Sequence, residues 1–326
     1  MSQGKINCKE NCNGGEESMK AVVVGCGVMG RTHAMCYQKM TDVELVGVCD
    51  SNFPLAEELA NSTGTQAFES FDEMMTKIKP DVVSVTLPTY LHKTFVVKAA
   101  DYGSHLICEK PIAHTLQDAR EMIEHCEKKG VRLFVGHVLR YFPAYAEMKE
   151  KIKGDMIGIV EKANTRRAVA FPESSWYRDS DKGGNVIFDL MIHDIDYLRW
   201  VLGEVKTIQC IMRRTEKLEY ATSTLRFENG ATANLEAYWG APGSYLNVAE
   251  VIGSQGKVRF DSTDSPVDEN HVESYTDNPY YCELKNFVDC IRDDSEALVT
   301  TSDAYKAIEI ALAGMESARA GKAVIL

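Results

Sequence analysis

The chain has 326 residues, 44% hydrophobic and 26% charged, enough for two domains with cores of their own; these values exclude a disordered, collagen-like or membrane-embedded polypeptide. Lys+Arg is 36 and Asp+Glu is 48, so the net charge of −12 disfavours nucleic acid and anionic lipid as general partners. Ten cysteines are present without any C-x-x-C pair, and Cys26, Cys49, Cys108 and Cys210 sit in or beside apolar runs, so they read as reduced thiols of a cytoplasmic protein. Cys8 and Cys12 read as two loose thiols, a weaker alternative being a metal clip. There is no signal-peptide pattern and no apolar run of ~18 residues, so no membrane partner is expected.

Residues 1–18 are polar and rich in Gly, Asn and Glu, the composition of a disordered leader, with Met19 a second possible start. Ala21–Val24 is a short β-branched run that reads as a buried parallel strand. A glycine turn, a helix from Val28 to about Met40 and a second strand, Val43–Cys49, follow. The alternation continues with a helix at Phe53–Ser62, a capping box at Ser70–Glu73, a strand at Asp81–Leu87 and a helix at Leu91–Tyr102. A strand at His105–Cys108, a helix at Thr115–Lys129 and a strand at Val131–Val135 complete the run. Such alternation predicts an α/β domain over 19–137, a parallel sheet with helices on both faces.

After Gly136 the pattern changes. Thr207–Met212, Ala221–Phe227, Ala231–Tyr238 and Asn247–Ile252 are strand-like, with a hairpin signal at Asn229-Gly230. They predict an α+β domain over 138–326 with a mostly antiparallel sheet. Val186–Leu202 reads as a helix ending at Gly203, and 302–320 as an amphipathic helix that packs back on the first domain.

Two constellations carry chemistry. The first is Gly25-Cys26-Gly27-Val28-Met29-Gly30, after a buried strand and at the start of a helix. Gly25 permits the tight turn, Gly27 lets a pyrophosphate approach the backbone and Gly30 lets helix and strand pack. Asp50 ends the second strand, 20 residues beyond Gly30, where a carboxylate accepts ribose hydroxyls and repels a 2′-phosphate. With Ser51 and Asn52 following and no cation there, NAD is favoured over NADP. The second constellation joins Glu109-Lys110-Pro111 with Asp189 and His193. Lys110 stands at the carboxyl end of a parallel strand, where ligands bind, and a nearby nicotinamide cation would lower its pKa. Asp189 and His193 are i, i+4 on one helix, an imidazole with a carboxylate one turn away, and Asp196 roughly continues that face. D-x-x-x-H-D-x-D is rich in metal ligands, but no further ligand element is evident and hydride transfer to NAD needs no metal, so none is expected.

These elements, with Leu87-Pro88-Thr89, His92, Gly136–Tyr145 and Trp176-Tyr177, occur in the order found in the glucose-fructose oxidoreductase / inositol dehydrogenase / rhizopine-catabolism (Gfo/Idh/MocA) family. The chain resembles that family from about Lys20 to Leu326. The resemblance implies a Rossmann domain followed by an open-faced sheet domain that pairs into dimers or tetramers. It implies a Lys110, Asp189, His193 catalytic set, and cofactor contacts from Pro88, Thr89, His92, Glu109 and Lys110 besides the glycine loop. Arg140, Tyr141, Trp176, Tyr177 and Tyr238 are candidate substrate residues. Asn185 departs from a frequent glycine, and Met191 from a frequent small residue, which would alter the substrate pocket.

The expected activity is NAD-dependent oxidation of a secondary alcohol on a sugar or cyclitol, with His193 the favoured base and the roles of His193 and Lys110 exchangeable. A nucleotide-sugar dehydrogenase, a non-catalytic NAD-binding regulator and an NAD-using glycoside hydrolase are the alternatives.

Overall fold

The computed structural model describes residues 18–173, 175–178, 182, 184–240, 245–264 and 277–326. The leader up to residue 17, with Cys8 and Cys12, and Gly183 lie outside them. The chain forms two compact units. One holds 18–141 with 277–302, the other 142–264 with 303–326.

The first unit alternates strand and helix: β1 (Met19–Val24), α1 (Val28–Tyr37), β2 (Val43–Cys49), α2 (Phe53–Thr63), β3 (Gln66–Phe68), α3 (Phe71–Ile78), β4 (Val82–Val85), α4 (Thr89–Asp101), β5 (His105–Glu109), α5 (Leu116–Lys129) and β6 (Leu133–Gly136). The sheet order is β3-β2-β1-β4-β5-β6, with parallel pairing throughout. That is the Rossmann order, and its switch point lies between β1 and β4. Local chemistry agrees with the topology. Ser70 caps α3 by accepting the Glu73 N–H at 3.3 Å, as the capping box predicts. Gly64 and Gly130 close α2 and α5 in the left-handed region, at φ 66° and 69°.

The second unit is built on α6 (Pro143–Lys153), β7 (Val160–Val169), a π-helical turn (Ile187–Met191) running into α7 (Ile192–Leu202), then β8 (Val205–Arg214), β9 (Glu219–Phe227), β10 (Thr232–Trp239), β11 (Leu246–Gly253) and β12 (Gly256–Asp261). The chain then forms α8 (Pro279–Asp293), α9 (Thr301–Ala320) and β13 (Val324–Ile325). Sheet order is β12-β11-β7-β10-β9-β8-β13; only β7 and β10 pair in parallel.

The helix that rejoins the Rossmann unit is α8, not 302–320. Phe287 of α8 stacks on Phe134 of β6 at 4.9 Å, and Tyr281, Leu284 and Val288 enter the same core. Helix α9 instead lies on the second sheet. Its Gly314 leaves room for Ile208, 3.0 Å from where a Cβ would stand, and Ser317 Oγ accepts the Cys210 N–H at 2.9 Å. The eight described cysteines are buried and free of disulfides.

Candidate active site

In the Rossmann unit the glycine loop joins β1 to α1 at the switch point. Gly25 has φ +98°, and a Cβ there would stand 2.7 Å from the Thr86 carbonyl oxygen. At Gly30 a Cβ would stand 1.8 Å from the Gly25 carbonyl oxygen, while at Gly27 it would meet nothing within 4 Å. Two glycines therefore serve packing, and the third keeps space clear. Gly27 caps α1 without any side-chain hydrogen bond, so the first-turn N–H groups remain for an anion; Val28 beside them is 83% exposed and Met29 half-exposed. Thr86, which sequence reasoning missed, pins the loop by donating to Gly25 O at 2.7 Å.

Asp50 directly follows β2 and accepts the N–H groups of Cys26 and Asn52, both at 2.8 Å. The carboxylate is thus held beside the loop, half-buried, with lone pairs left for ribose hydroxyls. Burial and the Asp50 charge push the Cys26 thiol up to about 12, so it remains an uncharged packing group beside a phosphate cradle. These residues fit a dinucleotide.

Lys110 follows β5, half-buried, and its peptide bond to Pro111 is cis. The residues around it face inward more than expected. Glu109 is buried; Oε1 lies 3.0 Å from His33 Nε2, and Oε2 accepts the Lys110 N–H at 3.2 Å. Burial alone would raise the Glu109 carboxyl, but the His33 hydrogen bond and the charges of His33, Lys110 and His92 hold it below the usual range. His92 is buried too, with Nδ1 3.0 Å from Pro111 O and Nε2 2.7 Å from Leu87 O. Burial lowers its pKa, against those carbonyls. Thr89 is buried at the start of α4, whereas Pro88 is half-exposed. The side-chain polar atoms of Glu109 and His92 thus face protein groups.

In the sheet unit, the segment 186–202 starts with one π turn instead of a uniform α-helix. Such turns recur at functional sites. Asn185, in the frequent glycine position, accepts the N–H groups of Ile187 and Phe188 at 2.9 and 3.3 Å and so satisfies the segment's start. Between Val186 and Leu198, Asp189 and His193 are half-exposed while their neighbours are buried. Asp189 accepts from Tyr177 OH at 3.4 Å and from Trp239 Nε1 at 3.2 Å. Trp176 stacks on Tyr177 at 3.7 Å, and Tyr177 meets Trp239 edge-on at 5.4 Å. Trp239 is itself fully buried, so the apolar surface open to a polyhydroxylated ring beside the acid is the half-exposed Trp176–Tyr177 pair.

Several expectations need correcting. Arg140 is buried in the Rossmann unit with Nη1 donating to Leu298 O at 3.0 Å, and buried Tyr141 donates to Asn286 Oδ1 at 2.8 Å; both brace that unit. Tyr238 stands on the sheet face opposite Trp239, stacked on Tyr220 at 5.9 Å, because neighbours on a strand point to opposite faces. The missed residue was Trp239, one position on. Met191 is fully buried and its sulfur accepts from Ser223 Oγ at 3.3 Å, so it packs on β9 and lines no pocket. Asp196 is buried and does not share the half-exposed side of Asp189 and His193. Among the described residues, no group of three or more His, Cys, Asp or Glu side chains is gathered to hold a metal. Nor, among them, is any helix long and apolar enough to cross a membrane.

Comparison with known proteins agrees with this geometry. Residues 19–137 match the Gfo/Idh/MocA oxidoreductase model with an NAD-binding Rossmann fold, and residues 145–259 match the Gfo/Idh/MocA C-terminal domain. The chain belongs to the Gfo/Idh/MocA oxidoreductase family. Within the family it is 28% identical to the scyllo-inositol 2-dehydrogenase (NAD(+)) of Bacillus subtilis, over 95% of this chain and 97% of that protein. It is 30% identical to the UDP-N-acetylglucosamine 3-dehydrogenase of Acidithiobacillus ferrooxidans, over 67% of this chain and 66% of that protein. The fold matches that of GenD2, from gentamicin A biosynthesis, with a TM-score of 0.89 at 23% identity, covering 95% of this chain and 97% of that one. As a Gfo/Idh/MocA oxidoreductase, the chain uses its first unit to bind NAD.

Proposed function

We propose that this protein oxidises a secondary alcohol of a sugar or cyclitol, with NAD as the acceptor. The observation that carries the reading is the half-exposed Asp189–His193 pair, with Trp176, Tyr177 and Trp239 gathered at Asp189. Bound NAD supplies the hydride acceptor. The protein's task is the proton. His193 takes the hydroxyl proton as the carbinol C–H bond gives up its hydride, and Asp189 positions the substrate or the imidazole. Lys110 hydrogen-bonds the reacting oxygen and relays the proton; the two basic groups are exchangeable in these roles. The loop that Gly25 and Gly30 shape receives the pyrophosphate at Gly27, and Asp50 the adenosine ribose.

The seven-stranded sheet supports pairing of copies into a homodimer or homotetramer: opposite its buried face it presents Arg166, Glu236, Tyr220 and Tyr238. Buried free thiols support a cytoplasmic setting.

The test is NADH absorbance during incubation with NAD and inositols, aldoses and UDP-sugars in parallel. Turnover of free polyols or aldoses is expected. Turnover confined to UDP-sugars would replace the reading with a nucleotide-sugar dehydrogenase, and none at all, with NAD bound, would make the protein a regulator. Lys110→Ala should lower turnover by ~10²–10⁴ with NAD binding nearly kept; full activity would remove Lys110 from the reaction.

A further inference from the structure

The backbone at Lys110 is braced from both sides by buried imidazoles. On the amino side, Glu109 Oε2 accepts the Lys110 N–H at 3.2 Å, and Glu109 Oε1 lies 3.0 Å from His33 Nε2. His33 Nδ1 is 3.1 Å from Ser84 Oγ, which is 2.7 Å from Tyr37 OH. One proton arrangement gives each of these groups its partner. Tyr37 donates to Ser84, Ser84 to His33 Nδ1, and His33 Nε2–H to the Glu109 carboxylate. On the carboxyl side, the Pro111 carbonyl is 3.0 Å from His92 Nδ1, and His92 Nε2 is 2.7 Å from Leu87 O. With its single proton on Nδ1, neutral His92 donates to the Pro111 carbonyl and ties the loop after β5 to α4.

Both imidazoles are 1% exposed and enclosed by protein groups, so neither ring is available to a ligand. A leucine would fill either space without the desolvation cost of a polar ring. Two buried histidines flanking one lysine need a reason, and placement of that lysine supplies it.

We propose that His33 and His92 are positioning residues for Lys110, His33 acting through Glu109 and His92 through the Pro111 carbonyl. The proposal rests on Lys110 as a proton-transfer group. Misplacing such a group by about 1 Å costs up to ~10² in rate. His33→Leu and His92→Leu are therefore expected to lower kcat by ~10–10² while KM for NAD and for the sugar changes less than about threefold. His33→Gln and His92→Gln, which keep N–H donors, should recover much of the loss.

Two measurements separate positioning from a general loss of fold. The first is a double-mutant cycle with Lys110→Ala, using NAD and the fastest sugar or inositol of the screen. In the Lys110→Ala background, either His→Leu change should cost little further. Losses that multiply undiminished, or wild-type kcat in both single variants, overturn the proposal. The second is hydrogen exchange of the 109–113 peptide in the ligand-free protein, followed by mass spectrometry. Exchange should quicken in the Leu variants and return towards wild type in the Gln variants; an unchanged rate overturns the proposal. If a Leu variant does not fold, Ser84→Ala carries the test for His33 and His92→Asn for His92. Each should lower kcat about threefold with an unchanged KM, and unaltered kcat in both overturns the proposal. If no sugar or polyol turns over, the assigned activity fails, and the exchange experiment still decides whether the histidines hold this segment.

Discussion

Gly27→Ala and Gly30→Ala separate the two tasks of the glycine loop. At Gly30 an added methyl would lie 1.8 Å from the Gly25 carbonyl oxygen and 3.0 Å from Thr86 Oγ1, both parts of the framework that closes the loop on β4. The backbone must shift, at a cost of about 3 kcal/mol or more. At roughly 2–4 °C per kcal/mol, Tm should fall by about 6–12 °C. At Gly27 the same methyl meets nothing within 4 Å, and φ −71° suits alanine. Gly27→Ala should therefore fold nearly as well as the wild type, a gain of ~0.4–1 kcal/mol from a less flexible unfolded chain being offset by about 1 kcal/mol for alanine's poorer capping of α1. Its NAD affinity should nevertheless drop at least about tenfold, ~1.4 kcal/mol, because the methyl occupies the approach of the pyrophosphate. Calorimetric titration with NAD and thermal unfolding of both variants decide the matter. Wild-type affinity in Gly27→Ala would refute this placement of the cofactor. A Tm lowered as far as that of Gly30→Ala would show that the open space is not open.

Asp50→Ala should weaken NAD about tenfold and narrow its advantage over NADP, since the 2′-phosphate is no longer repelled; an unchanged NAD/NADP ratio in competitive titration refutes the assignment. Trp239→Phe keeps a ring at the aromatic wall but removes the N–H that reaches Asp189 at 3.2 Å. A fall in kcat of ~10-fold or more, with KM for NAD unchanged, is expected, and wild-type kcat would separate Asp189 from the reaction. Stability should fall on acidification. Burial holds His92, His105 and His114 below their ordinary value of 6.5, so the unfolded chain binds protons that the folded unit refuses. The stability is complete above that value and is lost as pH drops beneath it; Glu109, held below 4.5, adds a further loss at lower pH. Urea midpoints at about pH 7.5 and about pH 5.5 should differ less in His92→Gln than in wild type, and an equal difference refutes the linkage.

The parts of the fold legible in the sequence were those whose burial is uniform. β1 and β4 are short, mostly apolar runs because parallel strands covered on both faces leave few polar positions. β7 escaped notice because Val160–Val169 carries Arg166 and Arg167 side by side, with its charges breaking the alternation. Only the structure shows that Arg166 is exposed while Arg167 is buried against Asp194. The return of α8 to the Rossmann unit was equally hidden, since a helix's own pattern names an apolar face without naming its partner. His33 gave no signal because a lone histidine within a helix has no distinguishing spacing; its meaning lies in Ser84 and Glu109, both far along the chain. For the aromatic wall, Tyr238 was the residue singled out, but strand parity, which the sequence leaves ambiguous, gave that place to Trp239.

The segment from Val186 to Leu202 shows why polar residues within an apolar helix need individual explanations. The Val186 N–H donates to Glu219 Oε1 of β9 at 2.9 Å, and Met191 accepts from Ser223 of the same strand. Asp194 accepts Arg167 Nε and Nη2, both at 3.0 Å, while Arg167 Nη1 donates to Tyr245 OH at 3.0 Å. Removing either member of that buried pair would strand a charge, a change that typically costs ~3–5 kcal/mol. The sheet thus holds successive turns through β9 and β7, and these contacts account for Met191 and Asp194 as scaffold. Asp189 and His193 are half-exposed between them. They sit one on either side of the point where the π turn becomes α7, so the helix geometry itself changes between the carboxylate and the imidazole. A uniform helix would have set their spacing by the i, i+4 rule alone. Here the sheet contacts on both sides of that junction set it instead, so the spacing of the pair proposed for proton transfer is fixed by its scaffold.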